Sequence, residues 1–581
     1  MKTKVTLLVI VGAMVCCLAG CISPGNVDPS VIGWYQQSMF TAGPQERSDD
    51  GLDYLRPAPG RNLLKLNVVD GKVNLSLQQA IMRTLAGNPE IRVVSFSPEI
   101  SYEEIVQAAA AFDAIAFASA TYDKDDTRGT STGFGTGKAA TRALQAGLRQ
   151  RLITGAEYST AFSMTRNWMQ SGTSPRTSYS PTLELTITQP LLRNAWSEFN
   201  LASIRIARLN HKISMADFRA KVEAVITRVY AAYWSLVQAR GNYDIQVQLL
   251  KKTEETLDRM KKRRKHDATE IEVKQAEASV AIRNASLLIA ENTVKDAEDN
   301  LRQLISDKTI NLVSDVTILP TTPFVTAPPK VNTTDQLLHA LKHSPLLAQA
   351  RDAISIAAIS IKVAENQALP QLDLSASTSI NGRARHINES MEKFGTANYI
   401  SYMLQLSMEY PLGNRDRKAE TRKAKYRHLQ ALAQMQNTAD LIAVQVKEKV
   451  RQIETAYKEI DAQGEAVKAS KAQLDALDAK EKSQKLSPEF LNVKLSAQQT
   501  LASAAQGLLL AQLKYNMAII ELQQVCGTIL NFHQVELSKP LRALLEKVSD
   551  PYESTKTPPP ADNKPIEPEV VEPKPKDDTR K

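Results

Sequence analysis

Two runs of the chain alternate strictly between apolar and polar side chains and end in the same proline step. In residues 183–191, Leu183, Leu185 and Ile187 fall on one side while Glu184, Thr186 and Thr188 fall on the other, before Pro190 and Leu191. Residues 404–412 repeat the pattern with Leu404, Leu406 and Met408 against Gln405, Ser407 and Glu409, before Pro411 and Leu412. A period of two predicts half-buried strands. Ahead of the second run, Leu372, Leu374, Ala376 and Thr378 alternate with Asp373, Ser375 and Ser377, which predicts a partner strand. Ahead of the first, Ile115, Phe117 and Ser119 offer the partner, but Ala116, Ala118 and Ala120 leave its face open by one residue.

Each proline-ended run leads into a long polar segment, from about Asn194 to Lys265 and from about Arg415 to Lys485, interrupted by glycine only at Gly241 and Gly464. Roughly seventy helical residues make a rod of ~100 Å. The apolar stripes Val222, Val225, Val229, Ala232, Leu236 and Val446, Val450, Ile453, Tyr457, Ile460 have the 3-4 spacing of a coiled-coil seam. A turn and a shorter returning helix follow each rod. The first is announced by Asp267-Ala268-Thr269 and carries Leu287, Ala290, Val294, Ala297, Leu301 and Leu304. In the second, Ser487 caps and Pro488 takes the first helical position.

The two halves therefore repeat. The segment from Asn74 through Asn88-Pro89 returns as Thr333 through Ser344-Pro345, with Ser76 and Gln79 forming a capping box whose places are taken by Asn332 and Asp335. The helices Pro89–Phe112 and Pro345–Ala368 enter the strands, and each, added to its returning helix, nearly matches a rod in length. Two shorter helices stacked end to end beside one long helix is the expected arrangement.

The first twenty residues set the compartment. Lys2 and Lys4 precede an apolar run from Val5 to Leu18, too short to span a membrane, which ends in Leu18-Ala19-Gly20-Cys21. This looks like a bacterial lipobox, with Cys21 the lipidated residue of an acylated, palmitate-bearing lipoprotein and Ile22 compatible with sorting to the outer membrane. No later stretch of about twenty apolar residues follows, so a crossing of the bilayer would need strands in a closed barrel. After the leader only Cys526 remains beside Cys21, which excludes a disulfide framework or a cysteine metal site within one chain. The seven histidines are scattered, and His339 with His343 has helical spacing but no third ligand. The formal charge of +9 comes from 72 bases against 63 acids, a mixed surface that points away from nucleic acid. No Ser-His-Asp order, phosphate-cradling loop or metal constellation stands out; no enzyme, cofactor or metal is expected.

On these residues the chain resembles the TolC-type outer-membrane factor family. The resemblance rests on Leu75-Ser76-Leu77-Gln78-Gln79-Ala80 with Asn88-Pro89, the strand end Leu185 to Leu192, Ala232-Tyr233-Trp234-Ser235-Leu236 and the helix stop Cys526-Gly527. It implies a mainly α fold with a β-barrel portion. Each protomer of a homotrimer would give four strands to a twelve-stranded membrane barrel and its helices to a periplasmic tunnel. It also implies an exit duct for an efflux pump or type I secretion system, joined to a periplasmic adaptor and an inner-membrane transporter. Four strands alone cannot close a usable barrel, so oligomerisation is required on physical grounds too. The rival reading, a structural coiled-coil envelope lipoprotein, leaves the duplicated strands unexplained.

Within this frame Glu184, Asp373 and Glu409 are expected to line the bore. Tyr122, Trp168, Tyr179, Tyr399, Tyr402 and Tyr410 are expected at membrane interfaces, while Trp196 and Phe199 fit either a girdle or a strand-helix junction. The hairpin tips, Arg264, Lys265, His266 and Asp267 in one copy and Leu486 and Ser487 in the other, are the expected adaptor-docking positions. They lack the glycines usual in the family, and the basic cluster reads equally as complementing a helix C-terminus. The first copy carries an insertion at about 124–180, where Ala143–Ile153 and Ala156–Met164 flank Thr154-Gly155 as a possible extra hairpin. The division expected is a signal peptide at 1–20, an extended strap at 21–73, the first repeat at 74–306, a linker at 307–331, the second repeat at 332–527, an equatorial segment at 528–550 and a disordered proline-rich tail at 551–581.

Overall fold

The computed structural model describes residues 55–56, 68–69, 71–127, 137–171, 174–263, 269–307, 310, 316–483, 489–532 and 536–537. Cys21 and the tip positions Arg264, Lys265, His266, Asp267, Leu486 and Ser487 lie outside the described residues.

The chain runs through β1 (Leu55–Arg56), β2 (Val68–Val69), β3 (Lys72–Leu75), α1 (Leu77–Gly87), α2 (Pro89–Ala109), β4 (Ile115–Thr127), β5 (Gly137–Arg151), β6 (Glu157–Ser171), β7 (Ser174–Pro190), α3 (Trp196–Asn200), α4 (Ala202–Arg263) and α5 (Glu270–Ile305). After β8 (Thr317–Pro320), the second repeat gives α6 (Thr333–His343), α7 (Pro345–Gln367), β9 (Gln371–Asn381), α8 (Ile387–Gly395), β10 (Ile400–Glu409), α9 (Arg415–Ser483) and α10 (Phe490–Cys526), followed by α11 (Ile529–Phe532) and β11 (Glu536–Leu537).

The caps predicted for α1 and α6 form, whereas Ser487 and Pro488 lie outside the described residues and α10 is described from Phe490 with no side-chain cap. Ser76 and Gln79 make a reciprocal capping box, as do Thr269 and Glu272, whereas Asn332 caps α6 by accepting from the Thr334 amide. Asn88 caps α2 through the Glu90 and Ile91 amides while its amide nitrogen donates to the Leu304 carbonyl at 2.7 Å. That bond joins the start of α2 to the end of α5, so the two stack end to end beside α4. The ion pairs along α4 follow the same order: Glu90 of α2 meets Arg228, then Glu298 of α5 meets Arg240, and Glu277 meets Lys261. In the second repeat Glu365 of α7 meets Lys425 of α9, and Glu521 of α10 meets Lys449. Gly527, at φ +66°, ends α10 where an added Cβ would lie 2.7 Å from the His343 carbonyl oxygen, so the glycine lets α10 abut the α6–α7 junction.

The rods are single helices of 62 and 69 residues, about 93 and 104 Å long. One boundary differs from expectation: the first rod does not begin at Asn194. Asn194 and Trp196 have φ of 64° and 71°, and the short α3 precedes α4, because the chain must turn sharply out of β7. Helix contacts place the α7–α10 stack between α9 and α4, with the α2–α5 stack on the far side of α4. Tyr233, fully buried, donates to the Leu75 carbonyl and accepts from the Thr322 amide, and Trp234 stacks on Phe324 at 4.8 Å. These contacts explain the Ala-Tyr-Trp motif: it fastens the linker and the small sheet β2-β3-β8 to the middle of the first rod.

The large sheet has the order β10-β9-β7-β6-β5-β4, antiparallel throughout. It contains six strands, two more than the four expected from each chain. The insertion forms β5 and β6 and lies between the strands expected to be neighbours.

Candidate functional site

Because cross-strand partners project to the same side of a sheet, the register assigns every strand residue to a face. Glu184 pairs with Ala161 and Ser379, Asp373 with Ser407, and Glu409 with Gln371, so all three predicted acids share one face. Serine, threonine, asparagine and glutamine dominate it and bond across the strands: Thr141 to Asn167 at 3.1 Å, Thr182 to Asn381 at 3.2 Å, and Thr188 with Ser375 at 3.1 Å. The acids do not form one ring. Asp373 and Glu409 sit near the helix end of the sheet, where Gln371 donates to Asp373 at 2.6 Å and Arg193 donates to Gln371, while Glu184 stands farther out.

The opposite face carries Leu183, Leu185, Ile187, Leu372, Leu374, Leu404, Leu406 and Met408. Leu404, Leu406 and Met408 are 74, 62 and 70% exposed, a large apolar patch with no cover among the described residues. Helix α8 lies against the outer part of this face, with Phe394 edge-on to Phe162 at 5.7 Å. Residues 116, 118 and 120 of β4 fall on the apolar face and Phe117 on the polar one, which fixes the register left open by the sequence. Tyr122, Arg142, Arg166 and Tyr179 form one row across the apolar face, each arginine over its neighbouring tyrosine ring at 5.4 and 5.8 Å. Trp196 instead occupies the strand-helix junction, its amide donating to the Thr154 carbonyl.

The turn between β5 and β6 is built into that junction. Gly155 adopts φ +88°, and a Cβ there would lie 2.5 Å from the Asn194 carbonyl oxygen. Asn200, buried, accepts from Arg151 and donates to the carbonyls of Asn194 and Trp196, all within 2.9 Å. Gln189 and Thr154 bond to each other, and Gln150 donates to the Phe112 carbonyl. Nothing in the local pattern of the sequence marks Asn200 as a hub, since its partners are distant in the chain.

A second polar group joins the two helical hairpins toward their distal ends. Lys494, 3% exposed, meets Asp478 and Glu481, and Glu481 also meets Arg259 of the other rod. Arg283 donates to Gln498 and the Leu495 carbonyl, while Gln498 donates to Thr256. Sequence periodicity treats such residues as solvated helix faces, so it gave no sign of this cluster. Among the described residues no group of His, Cys, Asp and Glu has metal-site geometry, and no helix is long and apolar enough to cross a membrane.

A two-faced sheet joined directly to paired helical rods defines a strand-and-coiled-coil architecture. Solved outer-membrane proteins are similar to it in fold. The Campylobacter jejuni CmeC outer membrane channel superposes with a TM-score of 0.56 at 15% identity, over 81% of this chain and 88% of that one. The outer membrane protein VceC from Vibrio cholerae gives 0.58 at 18% identity, over 78% and 96%. The Escherichia coli outer membrane protein TolC is 26% identical over 264 residues, 44% of this chain, and the match spans about half of that relative's length. Residues 138–306 and 337–528 match the outer membrane efflux protein family, and the chain belongs to it.

Proposed function

We propose that three copies of this chain form a passive exit duct through the outer membrane and across the periplasm, serving an inner-membrane exporter. The observation that carries this reading is the large sheet, polar on one face and apolar on the other, whose two outer strands lead into the two flanks of one helical layer. Strand β4 follows α2 on one flank and β10 precedes α9 on the other, so sheet and helices are open on the same two sides. Those flanks expose Val93, Ile282 and Ile289 on one side and Tyr426, Leu441 and Val444 on the other. Head-to-tail copies would cover both flanks and leave no strand edge in lipid.

The polar face, with Glu184, Asp373 and Glu409, then lines a water-filled bore, and the apolar face meets lipid. The duct lowers no chemical barrier; the energy comes from an inner-membrane transporter through a periplasmic adaptor that engages the tips at 264–267 and 486–487. Lipid on Cys21 tethers each copy. Reconstitution tests the reading: SDS-resistant trimers that conduct ions in planar bilayers support it, and a detergent-extracted monomer without conductance overturns it. Crosslinking from positions 262–270 should recover a periplasmic adaptor, and Cys21→Ala should abolish lipid labelling. A structural spacer lipoprotein accounts for the rods but not for the two-faced sheet.

A further inference from the structure

We propose that the inserted hairpin β5–β6 is a pair of membrane strands, and that three chains therefore close an eighteen-stranded barrel. The inference rests on the trimeric duct proposed above and adds what its wall is made of.

Three observations carry it. First, β5 and β6 are paired along their whole length inside the sheet, between β4 and β7, and each has 15 residues where about 9–11 tilted residues suffice to span a bilayer. Second, the hairpin has the same two faces as its neighbours. Leu144, Leu148, Phe162 and Met164 share the apolar face, and Gln145, Ser159, Ser163 and Thr165 the polar one. Third, the apolar stretch has the height of a membrane. It is bounded outside by the Arg142–Arg166 row and inside by Gln150 and Tyr158, which bond to each other at 3.1 Å. From Tyr158 to Arg166 is about 27 Å along the strand, or about 20 Å along the membrane normal at a tilt near 40°, close to the ~25 Å apolar band of outer-membrane barrels. Tyrosines and lipid-facing arginines at such a boundary have rings at the headgroup level and charges that snorkel outward.

Closure follows from strand direction. The six strands alternate, so β4 and β10, the two edges, run oppositely, and β10 of one copy meets β4 of the next as an antiparallel pair. Repeated around a threefold axis, this leaves no unpaired edge. At a strand spacing of about 4.8 Å and a tilt near 40°, eighteen strands give a backbone diameter of about 36 Å, against about 24 Å for twelve. The membrane section then has about 2.2 times the cross-section of a twelve-stranded wall.

The test is a cysteine scan in the full-length protein in native outer membranes. Single cysteines at 143, 145, 159, 163 and 165 should react with a membrane-impermeant maleimide more than tenfold faster than those at 144, 148 and 164. Equal labelling of both sets overturns the inference. In parallel, Ser119→Cys on β4 is paired with cysteines scanned along β10. Disulfides that link separate chains into dimers and trimers support eighteen strands. A disulfide from β4 to β7 within one chain, obtained with Ser119→Cys and cysteines scanned along β7, overturns it, because those strands touch only if the hairpin stands outside the wall. Conducting trimers with equal labelling refute the hairpin's place and leave the duct intact; absence of trimers and conductance refutes the duct itself.

Discussion

Arg259 on the first rod and Glu481 on the second form an ion pair at 2.9 Å, and Glu481 also holds Lys494, whose side chain is 3% exposed. Removing one member of such a buried group strands the others in a medium of low polarity. Glu481→Ala should therefore loosen the distal third of both hairpins, at a cost of about 3 kcal/mol. Hydrogen exchange over 475–500 should quicken at least tenfold while exchange around Tyr233 stays unchanged. Unaltered exchange near Lys494 would show that Asp478 alone suffices.

Glu223 gives a pH dependence with a definite sign. Burial raises its carboxyl from 4.5 to about 7, and Arg219 beside it opposes this only in part. Between these values the folded chain holds a proton that the unfolded chain releases, so the stabilisation present below pH 4.5 is lost as pH rises through 7. Glu223→Gln mimics the protonated form. Its thermal midpoint should match the parent near pH 4.5 and exceed it increasingly up to pH 8, the gap corresponding to a stability difference on the order of 1–3 kcal/mol. A constant offset across that range would contradict the assignment.

Tyr233→Phe keeps the ring and removes one hydroxyl that serves two backbone groups, the Leu75 carbonyl and the Thr322 amide. Leaving them without partners should cost about 2 kcal/mol. The loss should show as a lower midpoint in denaturant, with the helical content unchanged by circular dichroism.

Gly155→Ala places a Cβ at φ +88° against the Asn194 carbonyl. The expected penalty is about 1–3 kcal/mol, concentrated at the strand-helix junction. Heat-modifiability on gels should show the assembled form dissociating at a lower temperature; a midpoint within one degree of the parent would mean that the turn can reshape freely.

Cys526 is held by burial at a pKa of about 11, its thiol near the Gln336 carbonyl. At pH 8 about one molecule in a thousand carries the thiolate. The folded protein should resist alkylation at this site until denatured, which also gives the cysteine scan a silent background.

Much of this architecture was legible because its signals are local and periodic. The proline-ended strands, both seams, the Ser76 box and the end-to-end stacking follow from side-chain spacing and helix lengths. The inserted strands were harder to read because Ala140, Ala143, Ala146 and Gly147 blur the alternation of β5, and only the pairing with β6 shows which face each occupies. The break at Asn194–Leu201 and the Lys494 cluster depend on partners far away in sequence, and no window along the chain contains them. The shared face of Glu184, Asp373 and Glu409 was readable from parity, but their separation in height needed the register of β7 on β9.

Asn200 grips Arg151 at the foot of one inserted strand and two carbonyls at the root of the first rod. The hairpin is thus bolted to the same pivot from which the rod departs. In the duct proposed above, a torque applied at the far end of that ~93 Å lever would reach β5, β6 and β7 together. Those three strands would then turn as one panel with the root of the rod instead of β7 turning alone.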